Sequence, residues 1–150
     1  MANAKRAGSG KAERLPLTLS SVMLASFKRE DLVEIPLLLR GTPWIVIKAT
    51  SWNEVVQLIR AVVIPVMLCD RELPGIEWPA SVAGLRHIPR SPQPLVLSDS
   101  TASNTFEQLL NGRWIGVLVR PLRQDDLVAA MDLARMHWEM RLSGAVSTTV

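Results

Sequence analysis

Charged and polar residues follow directly after three apolar segments, and these are the places where the sequence could do chemistry. Asp70 follows the run IPVMLC, Ser98 and Asp99 follow PLVL, and Arg120 follows IGVLV. A carboxylate, a hydroxyl and a guanidinium can together hold a charged group. These positions lack a nucleophile beside a plausible base, and the sequence has no Gly-rich phosphate loop or metal-ligand cluster. An unrelated small α/β enzyme is therefore the least favoured function.

The elements that must position these residues are short apolar segments that alternate with longer amphipathic ones. Three of the apolar segments are nearly continuous in apolar residues, which is typical of parallel strands buried on both faces. Five βα units of this kind predict an α/β fold with a doubly wound, five-stranded parallel sheet. The predicted strands are 21–25, 44–49, 64–69, 94–98 and 115–119, and the predicted helices are about 28–40, 51–61, 77–86, 102–112 and 124–142.

Some helix boundaries carry their own signals. Ser51 and Glu54 have the spacing of a capping box, in which Glu54 reaches back to the Ser51 amide. Pro36 falls inside the first helix and predicts a kink or a late start, because proline removes a helical hydrogen bond. The last helix has an apolar face at three- and four-residue spacing. That face consists of Leu127, Met131, Ala134 and Trp138.

The composition describes one globular domain with a basic extension. The chain has 150 residues, 48% of them hydrophobic, so a core can form without disulfides or a structural metal. Residues 1–14 contain four basic side chains and one acidic one, which accounts for the whole net charge of +3. We expect a flexible basic arm over 1–19, a folded domain over 20–142 and a disordered tail over 143–150. Because the folded part is neutral, nucleic-acid binding is not expected.

Three strand-end motifs, in this order, resemble a known family. An apolar strand ends in Asp70 and is followed by Arg-Glu-Leu-Pro-Gly, the next strand ends in Ser98, and the last is followed by Arg120 and Pro121. Over about residues 20–140 the sequence resembles the response-regulator receiver domains, the CheY-like domains of two-component signalling. The resemblance implies a flavodoxin-like (βα)5 fold with strand order 2-1-3-4-5.

The sequence also resembles one branch of that family. The segment 68–74 and Trp78 are similar to a divergent subgroup of receivers that have a short, Trp-containing third helix.

The resemblance implies a role for several residues. Asp70 takes the phosphoacceptor position, whose carboxylate would attack the phosphorus of a phosphohistidine. Ser98 takes the place of the switch hydroxyl that hydrogen-bonds the phosphoryl group. Arg120 stands where the family has a lysine that contacts phosphoryl oxygens, and Pro121 where it has a cis proline. Val117 stands where the family has a rotating aromatic residue.

The end of the first strand departs from the family. Receivers hold Mg²⁺ there with two adjacent acidic residues, whereas this sequence has Ala25 and Ser26. Since Mg²⁺ prefers carboxylate oxygens, Mg²⁺ binding is doubtful and no cofactor is expected. Arginine at position 120 differs from lysine in shape and hydrogen bonding. We hypothesise that Asp70 pairs with Arg120 or Lys28, and that the domain has moved toward phosphorylation-independent partner binding.

Structural roles compete with these functional ones. Asp70 could simply cap the turn after the third strand, and Ser98 could be an ordinary strand-end hydroxyl. Asp99 and Glu72 could partly replace the missing acids, although exposed loop acids are the favoured interpretation. Residues of other reactive types are assigned to the core or to no site: Cys69, His87, His137, Trp44, Trp52, Trp78, Trp114 and Trp138.

The expected function is that of a stand-alone atypical receiver in two-component or phosphorelay signalling. It would act by protein–protein interaction, with weak or no Mg²⁺-dependent phosphorylation at Asp70. The alternative is a fully phosphorylation-independent pseudo-receiver. The expected partners are a histidine kinase or a downstream effector, and a second copy bound through the fourth predicted helix, the fifth strand and the fifth predicted helix. A nucleic acid is not an expected partner, because the folded part is neutral and no DNA-binding helix pair is present. A membrane is not an expected partner, because the sequence has no membrane-spanning run. Since a secretory signal is also absent, the expected location is the cytoplasm.

Overall fold

A computed structural model describes residues 20–99 and 115–144 of the chain. Five parallel strands form one sheet in the order β2-β1-β3-β4-β5, which confirms the doubly wound architecture and the strand order. Each strand lies within two residues of its predicted bounds. The strands are β1 Ser21–Ala25, β2 Ile45–Ala49, β3 Val66–Asp70, β4 Gln93–Ser98 and β5 Gly116–Val119.

The described helices are one short and three longer ones. The third predicted helix, 77–86, is wrong in its length, because only four residues are α-helical and a 3₁₀ turn follows them. Pro79 stands immediately before this helix and supplies no backbone donor. The fourth predicted helix, the arm 1–19 and the chain after 144 lie outside the described residues. The helices are α1 Arg29–Leu38, α2 Trp52–Ala61, α3 Ala80–Ala83 with the 3₁₀ turn Gly84–His87, and α4 Gln124–Leu142.

The start of α2 is capped as predicted, with one difference. The Ser51 hydroxyl accepts a hydrogen bond from the Glu54 amide at 3.2 Å. The Glu54 carboxylate, however, accepts from the Thr50 amide at 2.7 Å rather than from the Ser51 amide. The Thr50 hydroxyl donates to the same oxygen at 3.2 Å. The Glu54 carboxylate therefore accepts from both donors of Thr50, the residue before the predicted Ser51.

Pro36 does not delay the first helix. Helix α1 begins at Arg29 and includes Pro36 two residues before its end at Leu38. A proline there removes a hydrogen bond only near the end of the helix.

The core has two layers because successive residues of a buried strand point to opposite faces of the sheet. On one face, Val22 and Leu24 of β1 pack with α1 and α4. On the other, Met23 and Ala25 pack with α2. The predicted apolar face of α4 is buried, which confirms its orientation; its members are Leu127, Met131, Ala134 and Trp138. Among the described residues, no helix is both long enough and apolar enough to span a membrane.

Candidate functional site

The carboxyl ends of β3, β4 and β5 bring three of the predicted residues to one edge of the sheet. Asp70 pairs in register with Leu97, the residue before Ser98, and Ser98 pairs with Val119, the residue before Arg120. These strand ends surround a cavity of about 100 Å³. Its lining consists of Lys28, Asp70, Arg71, Glu72, Leu97, Ser98, Asp99 and Arg120.

Asp70 is a buried carboxylate between two cations. Only 1% of the residue is exposed to solvent. Its Oδ1 accepts a hydrogen bond from the Glu72 amide at 3.3 Å and lies 3.6 Å from Arg120 Nη2. Among the described residues, its Oδ2 has no hydrogen-bond partner, but Lys28 Nζ lies 3.5 Å away. Both pairs named in the sequence hypothesis are therefore present.

Lys28 places one ammonium group among three carboxylates. Its Nζ lies 3.5 Å from Asp70 Oδ2, 3.4 Å from Glu72 Oε1 and 3.5 Å from Asp99 Oδ2. Burial opposes the charged form, but the neighbouring carboxylates outweigh it, with Asp70 the largest contributor, and the pKa of Lys28 is raised. The Lys28 amide donates to the Ser26 hydroxyl at 3.1 Å, which fixes the backbone at the end of β1.

Arg120 binds a second carboxylate more tightly than it binds Asp70. Its Nε and Nη2 donate to Asp31 Oδ1 and Oδ2 at 3.0 and 2.6 Å, the bidentate geometry that suits a guanidinium. Its Nη1 donates to Asp99 Oδ1 at 2.8 Å, and this hydrogen bond lowers the pKa of Asp99. Although burial opposes its charge, hydrogen bonds from Arg120 to Asp31 raise the pKa of Arg120.

Asp31 is the site residue that the sequence did not reveal. It lies in the first turn of α1, is only 4% exposed, and accepts a hydrogen bond from the Ser26 hydroxyl at 2.7 Å. An acidic residue in the first turn of a helix is ordinarily explained by the helix dipole, so its type and place gave no separate signal. Its role follows only from the long-range contact with Arg120.

The comparisons with known proteins agree with this arrangement at the level of the fold. No protein-family model and no curated protein matches the chain. Among solved structures, the chain is similar to the signal receiver domain of an HD domain-containing protein from Pseudomonas fluorescens Pf-5. Identity is 18%, coverage is 82% of this chain and 91% of that chain, and the TM-score is 0.72.

Two further solved structures extend the similarity. One is described as adenylate cyclase from Rhodopirellula baltica, with 18% identity, coverage of 87% of this chain and 97% of that one, and a TM-score of 0.70. The other is a complex from Saccharomyces cerevisiae of the histidine phosphotransfer protein Ypd1 and the receiver domain of the response regulator Ssk1. Identity to that structure is 13%, coverage is 74% of this chain and 85% of that chain, and the TM-score is 0.62. The chain has the receiver-domain fold.

In this receiver fold, the residues at the end of β1 do not fit a magnesium ion. Ala25 pairs in register with Cys69 beside Asp70, and Ser26 follows it, so neither position supplies a carboxylate. The Ser26 hydroxyl is hydrogen-bonded to Asp31, and Asp31 is neutralised by Arg120. Within residues 20–99 and 115–144, no group of three or more His, Cys, Asp or Glu side chains is arranged to hold a metal. A divalent cation would meet two protein cations at Asp70.

The other residues singled out in the sequence occupy varied places in the receiver fold. Ser98 is buried and lines the cavity beside Asp70. Val117 is half-buried and pairs with Val96. The Arg120–Pro121 peptide bond is cis, and Pro121 is exposed.

Glu72 and Asp99 are exposed loop acids, as expected, yet both contact Lys28. Burial raises the pKa of the Cys69 thiol, in accord with an inert core residue. His87 lies in the 3₁₀ turn and His137 on α4, and neither lines the cavity.

Proposed function

We propose that this receiver-fold chain is a signal-transduction module that acts through protein–protein contacts. Asp70 occupies the phosphoacceptor position, and Mg²⁺-dependent phosphorylation there is weak or absent. One observation carries the proposal, namely that Lys28 Nζ and Arg120 Nη2 lie 3.5 and 3.6 Å from the two oxygens of Asp70. In this proposal, these two cations neutralise Asp70 in the way that the resemblance assigns to a metal ion in other receivers.

Simple electrostatics supports weak metal binding. Two like unit charges about 4 Å apart repel by about 4 kcal/mol at an effective dielectric near 20, so a divalent ion beside Lys28 meets about 8 kcal/mol of repulsion. The acids of the site attract the ion in turn, but each of them already contacts Lys28 or Arg120, so a bound ion would have to break these ion pairs. Of these acids, Asp31 lies in a bidentate pair with Arg120. Because charge neutralisation drives phosphoryl transfer, weak metal binding slows the reaction.

The proposed partner is another protein of a signalling relay. One similar structure contains a receiver domain together with a histidine phosphotransfer protein. We extend that chemistry to this chain, with a histidine kinase, a histidine phosphotransfer protein or a downstream effector as the partner. No enzymatic activity is proposed for the chain.

A phosphorylation assay tests the proposal. The purified chain is incubated with acetyl phosphate and Mg²⁺, and its intact mass is measured against Asp70→Ala and, as a matched control, Asp99→Ala. We expect no substantial adduct in any of the three proteins. A stoichiometric adduct of one phosphoryl group that forms in the parent and in Asp99→Ala, but not in Asp70→Ala, contradicts the proposal.

The second candidate is a pseudo-receiver that never takes phosphate. The observation that favours it is that Asp70 is already ion-paired on both oxygens in the unmodified chain. Thermal unfolding with Mg²⁺ and beryllofluoride, a phosphoryl mimic, separates the two candidates. A ligand that binds only the native state raises the midpoint, so an unchanged midpoint favours the pseudo-receiver and a small rise that needs Asp70 favours slow phosphorylation.

A homodimer through the last helix is also proposed. Three apolar side chains of α4 are exposed at helical spacing, namely Leu133, Met136 and Met140. They lie on a different face from the buried Leu127, Met131 and Trp138. The fourth predicted helix, which completes the expected interface, lies outside the described residues.

A further inference from the structure

The edge of the sheet opposite Asp70 gathers arginine side chains. Helices that follow parallel strands run back toward the amino ends of those strands, so the ends of α2 and α4 reach this edge. The 3₁₀ turn and the start of β4 reach it as well. We call this surface the basic edge, and its arginines are Arg60 at the end of α2, Arg86 in the 3₁₀ turn, Arg90 before β4 and Arg141 at the end of α4.

Arginines outnumber acids at the basic edge, where the last turn of α4 carries one acid, Glu139. The described loops that lead into β2, β3 and β4, residues 39–44, 62–65 and 88–92, contain no Asp or Glu. Among the described residues, no carboxylate forms an ion pair with Arg60, Arg86 or Arg90. At the opposite edge, Lys28 and Arg120 each contact more than one carboxylate. The neutral total charge of the folded part therefore conceals a separation of charge.

Two neighbouring cavities give the basic edge a shape. A cavity of about 280 Å³ is lined by residues 59–63 and 88–90, and one of about 260 Å³ is lined by Arg86, residues 88–91, Arg141 and Leu142. Ile88, Pro89 and Arg90 line both, so a single extended ligand can contact both. The lining combines guanidinium groups with apolar side chains.

We propose that the basic edge binds an acidic peptide segment of a partner protein that also carries apolar side chains. Arginine pairs with carboxylates through two parallel hydrogen bonds, and the exposed Pro89 and Leu142 offer apolar contact. Single-stranded nucleic acid is disfavoured because its binding relies on aromatic side chains, and the two cavities are lined by none. The net +3 of residues 1–14 has the same sign as this surface and does not neutralise it. This proposal does not depend on the chemistry of Asp70.

The test is a fluorescence-anisotropy titration with the full chain. The probe is a fluorescein-labelled peptide that alternates Asp or Glu with Leu, and its control replaces each acid with the corresponding amide. The variant Arg60→Gln/Arg86→Gln/Arg90→Asn removes three exposed charges. Asn is chosen at position 90 because its φ of 58° is left-handed, a conformation that asparagine tolerates. The matched control Arg29→Gln/Lys48→Gln/Arg123→Gln removes three exposed charges elsewhere.

The expected result is saturable binding of the acidic peptide that weakens with salt and is about tenfold weaker in the basic-edge variant, with little change in the matched control. Circular dichroism and the unfolding midpoint establish that both variants are folded. The proposal is overturned if the acidic and amide peptides bind alike, or if the two variants lose affinity equally. It is also overturned if an unstructured DNA oligonucleotide binds this edge more tightly than the peptide does.

Discussion

Arg120 and Asp31 form a two-point contact that joins the end of β5 to the first turn of α1. The guanidinium Nε and Nη2 donate to the two carboxylate oxygens at 3.0 and 2.6 Å, across 89 residues of sequence. The Asp31 side chain is 4% exposed and that of Arg120 16% exposed, so water competes little for either. This geometry also fixes the Nη2 atom that lies 3.6 Å from Asp70.

Removal of the Arg120 guanidinium should destabilise the fold. Arg120→Ala leaves the buried Asp31 carboxylate without its cation, and we expect the free energy of unfolding to fall by about 2–4 kcal/mol. Arg120→Lys keeps the charge but loses the bidentate geometry, and should fall between the parent and Arg120→Ala. Urea unfolding measures the effect.

The control for this prediction is the exposed neighbour Arg123. Arg123→Ala should stay within about 0.5 kcal/mol of the parent, since it removes an exposed side chain. If Arg120→Ala proves as stable as Arg123→Ala, the contact with Asp31 contributes nothing measurable.

Removal of the Lys28 ammonium should create a cation site. Its Nζ stands 3.4–3.5 Å from oxygens of Asp70, Glu72 and Asp99, and the last two are exposed side chains that can move closer. In Lys28→Ala we expect Mg²⁺ or Mn²⁺ to raise the unfolding midpoint. When the metal concentration is ten times its dissociation constant, the free energy of unfolding should rise by about 1.4 kcal/mol. The parent should show no comparable shift.

The double variant Lys28→Ala/Asp70→Asn is the control for the cation site. It removes the buried carboxylate, so the metal-dependent shift should disappear. An equal shift in the parent, or a shift that survives in the double variant, would show that the cation binds elsewhere and that Lys28 does not occupy the site.

The sequence was sufficient for the sheet and for the pairing of Asp70 with Arg120 or Lys28, but not for the second carboxylate that Arg120 binds. Continuous apolar runs identified buried parallel strands, and the strand-end rule then brought Asp70, Ser98 and Arg120 together. The role of Asp31 was not predicted, because a local sequence pattern does not show a contact between residues that are 89 positions apart. The pattern over 77–86 overestimated the length of α3, whereas the resemblance to one subgroup of receivers had implied a short third helix.

The residue types alone show that the folded part carries no net charge. They do not show that the exposed arginines Arg60, Arg86 and Arg90 share one edge. That grouping depends on which way each helix runs after its strand. The topology supplies this information once the strand order is known.

Exposed apolar residues on α4 predict self-association. Met136 is 53% exposed and lies between Leu133 and Met140, so Met136→Lys should disrupt a dimer formed through this face. We expect the parent to sediment as a dimer at high micromolar concentration and the variant as a monomer. Ile45→Lys, at an equally exposed apolar residue of β2, is the matched control and should leave the dimer intact. A parent that is monomeric throughout contradicts the prediction.

Alkaline pH should destabilise the fold through Cys69. Burial, together with the Asp70 carboxylate, raises the pKa of this thiol above its ordinary value of 9.0, so the folded state keeps a proton that the unfolded state releases. Stability is therefore fully present below pH 9.0 and falls as the pH rises above it, by up to about 1.4 kcal/mol per pH unit. The raised pKa of Lys28 acts in the same direction, but only above its ordinary value of 10.5.

Urea unfolding of the parent and of Cys69→Ala across this pH range tests the prediction. The difference in stability between the two proteins should be constant below about pH 8. It should shrink above pH 9, because the variant has no thiol to ionise. Parallel curves for the two proteins would mean that the Cys69 thiol does not control the alkaline limit.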